Sequence, residues 1–126
     1  MSPIAKVTAI AAAVALGVAT GAFAHPHLVA STPAANAVVA SPARIELRFS
    51  EQLVPQFSQA ALAMTAVAPG AHPPAVTPLR TGISHDRQAL IIVPRVPLVA
   101  GTYRVSWHAV SVDTHRVEGS FSFRVG

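Results

Sequence analysis

The sequence predicts an all-β domain, a β-sandwich or Greek-key barrel, on three observations. Apolar and polar residues alternate with a period of two in several short runs, turn-forming residues separate the runs, and no window carries a helical period with caps. In chain order, Ile45, Leu47 and Phe49 alternate first with Glu46, Arg48 and Ser50, as in a strand with one buried face. ALAMTAV (61–67) and ALIIVP (89–94) are further strand candidates. In TYRVSWHAV (102–110) Tyr103, Val105 and Trp107 share a face, and in SFSFRV (120–125) Phe121, Phe123 and Val125 share one. Prolines punctuate the gaps, as at Thr32-Pro33, Ser41-Pro42 and Pro73-Pro74, and APGAHPPAVTP (68–78) reads as a flexible loop. Short strands divided by turn signals suit two packed sheets in a single domain, with no internal repeat.

Residues 1–24 read as a cleaved secretory signal peptide. Lys6 is the sole charge among them, residues 7–19 are apolar or small, and Ala22-Phe23-Ala24 places small residues three and one positions before a cut. The apolar run is short against the roughly 20 residues a membrane-spanning helix needs, and no basic cluster follows it. Cleavage after Ala24 leaves residues 25–126 as the domain, beginning at His25. Losing Lys6, the only lysine, lowers the net charge by one from +4. The arginines that remain are scattered singly, without a basic run or an aromatic platform, so the charge does not indicate a nucleic-acid surface. With 0 cysteines the domain must be held by core packing, and thiolate metal sites are excluded.

The chemistry-bearing residues narrow quickly. No Gly-x-Ser-x-Gly occurs, so triad hydrolysis has no support. The 5 carboxylates fall on different elements, which disfavours a glycosidase pair. No glycine-rich phosphate loop is present. The 6 histidines leave metal binding. A chain beginning at His25 offers an α-amine and an imidazole from one residue, and His27 adds a second ring. Pro26 has no N–H to surrender, so a peptide-like wrap around Cu(II) is broken and other parts of the fold must complete such a site. The competing account is a pair of solvated histidines on a frayed end. Asp113 and His115, two apart, point to one side if the segment is extended, although Asp and His are also common turn residues.

HPHLVASTPAANA, RIELRFSEQL, AGTYRVSWHAVSVDTHRVEGSFSF and the leader together resemble the CopC family of periplasmic copper-resistance proteins, over essentially the whole mature chain. The resemblance implies an immunoglobulin-like, cupredoxin-like Greek-key β-sandwich in the periplasm, binding one Cu(II) per chain. Carried over residue by residue, the ligands are His25, His27, Asp113 and His115. Glu51, from the family's Phe-Ser-Glu motif, is at most a carboxylate supporting a ligand, and closing a strand accounts for it equally well. A nitrogen-rich donor set without sulfur suits Cu(II). Some family members carry a methionine-rich Cu(I) loop. Here that stretch reads AMTAVAPGAHPPAV, keeping Met64 and His72 but with Val67, Ala71 and Ala75 at the other methionine positions. No competent Cu(I) site is expected, and Met64 reads as core.

The expected function is non-catalytic sequestration or carriage of Cu(II) in copper resistance or homeostasis. Two alternatives stand beside it: a mono-copper oxygenase built on a terminal histidine chelate, and a metal-free adhesive sandwich. The expected partners are copper itself and a separate inner-membrane copper transporter or another periplasmic copper protein, with the chain a monomer. His108 should face away from Trp107 as a partly exposed residue, and His85 should sit in a solvated turn.

Overall fold

In the computed structural model, residues 26–67 and 76–126 are described. The expected leader, His25 and most of the 68–78 loop, His72 included, lie outside the described residues. Among the described residues no helix is long and apolar enough to cross a membrane. The strands are β1 (Leu28–Thr32), β2 (Val38–Val39), β3 (Ile45–Phe49), β4 (Gln59–Val67), β5 (Leu79–Ile83), β6 (Ala89–Pro94), β7 (Gly101–Val110) and β8 (Arg116–Val125), with one 3-10 turn at Pro55–Phe57. They form two four-stranded sheets, ordered β1-β3-β6-β5 and β2-β8-β7-β4. Every pairing is antiparallel except that of β2 with β8.

The alternation in the sequence decides which faces meet. Ile45, Leu47 and Phe49 of β3 with Leu90 and Ile92 of β6 pack from one sheet. Leu62 and Met64 of β4, Tyr103 and Val105 of β7, and Phe123 and Val125 of β8 pack from the other. Each large side chain fully withdrawn from water contributes about 1.5–3 kcal/mol, which is how a domain without disulfides reaches stability. The buried Tyr103 hydroxyl is satisfied, donating to the Val99 carbonyl at 2.7 Å, and burial pushes its pKa up. Met64 lies in this core, as expected.

Three strands escape the sequence pattern: β1, β2 and β5. β1 has half-buried and exposed positions in no period-2 order, β2 has 2 residues, and β5 is an edge strand whose apolar positions are only half-buried. β8 also begins earlier than SFSFRV suggests, at Arg116, because Val117 and Gly119 continue the inward face opposite Ala109 and Trp107.

Candidate metal centre

The segment after β3 joins three parts of the fold at one end of the sandwich. Its backbone hydrogen bonds run in three directions: Ser50 N–H to the His27 carbonyl at 2.9 Å, Leu53 N–H to Arg87 at 2.8 Å, and Val54 N–H to Val110 at 2.8 Å. Gln52 in turn accepts from Val112 N–H at 3.0 Å, and Leu53 forms an isolated antiparallel bridge with Ser111. One short stretch therefore fastens His27, the β5–β6 turn and the β7–β8 turn together. Glu51 is half-buried in the middle of it.

Pro26 and His27 are docked against the fold. Pro26 is fully buried. His27 is held through both backbone groups, its N–H donating to Ser50 Oγ at 3.1 Å and its carbonyl taking the Ser50 N–H. The same hydroxyl lies 3.3 Å from His27 Nδ1. A backbone fixed on both sides removes most of the entropy that a ligand on a free end would lose on binding.

Asp113 and His115 do come together, with His115 Nδ1 3.3 Å from Asp113 Oδ2. The route differs from strand alternation. Residues 111–115 form a tight turn closed by Ser111 N–H to the His115 carbonyl at 2.9 Å and Thr114 N–H to the Ser111 carbonyl at 2.8 Å. Thr114 at its tip has φ 74°, a left-handed conformation that is costly for a β-branched residue. Asp113 and Ser111 supply the turn chemistry that overrides the extended reading. The Ser111 hydroxyl donates to Asp113 Oδ1. That bond first, and then the nearby His115, hold the Asp113 carboxyl below the usual carboxylate range, so it is an anion wherever imidazole is neutral.

Among the described residues no group of three or more His, Asp or Glu side chains stands close enough to hold one ion. The structure thus brings together Asp113 with His115 and ties His27 to the connecting segment, in which Glu51 is half-buried. His25 lies outside the described residues. His108 is half-buried on the outer face of its sheet, cross-strand from Glu118 and Gln59, lining an open groove of about 300 Å³. His85 is exposed in the β5–β6 turn. Ser50 and Ser111, which hold the donors, were not singled out from the sequence. The signal available was a serine shortly before each acidic residue, one position ahead of Glu51 in FSE and two ahead of Asp113 in SVDTH.

A two-sheet sandwich that gathers imidazole and carboxylate at one end and buries its methionine in the core defines a class of small metal-binding β-domain. Within that class the chain belongs to the CopC family, whose CopC domain matches residues 28–126. It is 50% identical over 104 residues to Copper resistance protein C of Pseudomonas syringae pv. tomato, covering 82% of each. It is 45% identical over 111 residues to Copper resistance protein C of Escherichia coli, covering 87% of this chain and 88% of that one. The crystal structure of PcoC, a methionine rich copper resistance protein from Escherichia coli, matches with TM-score 0.73 and 45% identity over 82% of this chain and 100% of that chain.

Proposed function

We propose that this chain is a periplasmic Cu(II)-binding protein that sequesters or carries one copper ion per chain, without turnover, in copper resistance or homeostasis. One observation carries the reading: the docked start of the mature chain and the Asp113–His115 turn are fastened to the same segment, 50–53, by Ser50 and Gln52. His25 precedes the buried Pro26 by one peptide, about 3.8 Å between Cα atoms. Its amine and ring, with His27, Asp113 and His115, make a donor set of nitrogens and one carboxylate that favours Cu(II) over other divalent ions. Family membership supports copper as the cargo, and the leader-like residues 1–24 support export.

PcoC is described as methionine rich; this chain has 2 methionines, of which Met1 belongs to the leader and Met64 to the core. That supports a Cu(II) site alone. A monomer passing copper to a separate membrane transporter or another periplasmic copper protein fits the same donor set.

The test is a Cu(II) titration of the chain starting at His25, beside His115→Ala. One equivalent should bind, and the variant should lose at least about 10-fold in affinity, the minimum expected when a ligand rather than its support is removed. Equal affinity in the two proteins would sink the assignment.

A further inference from the structure

Ser111 is a fully buried polar residue, 0% exposed, at the base of the turn that carries Asp113 and His115. Its backbone is fixed from several sides: it bridges to Leu53, its N–H donates to the His115 carbonyl at 2.9 Å, and its own carbonyl takes the Thr114 N–H. The hydroxyl has one proton to give. The His115 carbonyl is 3.4 Å away and already served by an N–H, so the proton goes to Asp113 Oδ1. A hydrogen bond from a buried hydroxyl to a carboxylate is charge-assisted and among the stronger ones. It leaves Oδ2 facing His115 Nδ1 at 3.3 Å. A carboxylate has about four lone-pair positions, so the contacts to Ser111 and His115 still leave capacity for an ion.

We propose that Ser111 is a positioning residue of the Cu(II) site: its buried hydroxyl holds the Asp113 carboxylate turned toward His115, presenting the two as a pre-oriented pair. The proposal rests on the reading that Asp113 and His115 bind Cu(II). Without the hydroxyl, Asp113, whose side chain is 47% exposed, can rotate into water. Copper must then order it on binding. Outer partners of metal ligands are generally worth 10- to 100-fold in affinity.

The experiment compares wild type, Ser111→Ala, Asp113→Ala and the double variant, each starting at His25, by Cu(II) affinity, electron paramagnetic resonance and thermal unfolding. Ser111→Ala should bind about 10-fold more weakly, with a changed copper hyperfine splitting. The double variant should bind no more weakly than Asp113→Ala, because Ser111 acts through that carboxylate. Ser111→Thr, which keeps the hydroxyl, should retain the wild-type spectrum even where its extra methyl lowers Tm. A wild-type spectrum and affinity in Ser111→Ala, or losses that multiply in the double variant, overturn the positioning role while leaving Asp113 a ligand. Unchanged binding in Asp113→Ala instead removes Asp113 from the site, and the positioning role with it.

Discussion

At position 119 the Trp107 ring leaves no room for a side chain, since an added Cβ would sit 2.5 Å from its Cζ2. Gly119 is the cross-strand partner of Trp107, and the indole lies edge-on to Phe49 at 6.2 Å and to Phe121 at 5.9 Å between ring centroids. Those two ring contacts resist a shift of the indole away from position 119. Gly119→Ala should therefore destabilise the fold by about 1–3 kcal/mol, the range for overpacking a filled interior. A urea titration followed by Trp107 fluorescence checks this; an unchanged midpoint would mean that the ring shifts freely. The aromatic identity of this cluster was readable from the alternation of Tyr103, Val105 and Trp107. The reason for the glycine was not, because it lies in a neighbouring strand's side chain.

The β5–β6 turn shows how elements are locked around the site. Asp86 takes hydrogen bonds from the Ser84 hydroxyl at 2.6 Å, the Gln88 N–H at 3.0 Å and the Arg48 guanidinium at 2.8 Å. These hold its carboxyl far below the usual range, the Ser84 bond contributing most. They also pin the turn to β3, next to the segment that carries Ser50 and Glu51. A carboxyl whose folded pKa is depressed adds stability above its unfolded pKa, near 3.9, and that stability is lost as pH falls toward the folded value. Asp86→Asn should accordingly unfold at lower denaturant than wild type at pH 7, and the gap should narrow as both are acidified below about pH 4. A gap that is constant with pH would show that the carboxylate charge is not what stabilises the turn.

The same scale explains which strands were legible. β3, β4, β6, β7 and β8 each bury one face against the opposite sheet, so Ile45, Leu62, Leu90, Val105 and Phe123 repeat with the pleat. β1 and β5 lie at sheet edges, and their partial exposure blurs the pattern. The sequence left the conformation of residues 111–115 open, because the two-residue spacing of Asp113 and His115 fits both a strand and a turn. Only the closing bonds of Ser111 separate them, and those depend on Leu53 and Gln52 far away in sequence. The pairing of Asp113 with His115 was thus legible, and the turn geometry that assembles it was not.

For the whole molecule, the two sheets form a frame at whose one end residues 26–27 are fastened, through the segment 50–53, to a turn more than eighty residues later. Pro26 is buried, Ser50 holds His27, and Gln52 holds Val112 beside Asp113. On the proposed reading such a site would use a free amine at His25, which cleavage after Ala24 would create, since Pro26 blocks the backbone alternative. The most direct test is electron paramagnetic resonance of the Cu(II)-loaded protein beginning at His25, compared with one carrying a single extra residue ahead of it. The account predicts one tightly bound equivalent with an axial, nitrogen-rich spectrum that the extension abolishes. The same spectrum and affinity in both proteins would contradict it, leaving the terminus a processed end and the copper bound elsewhere.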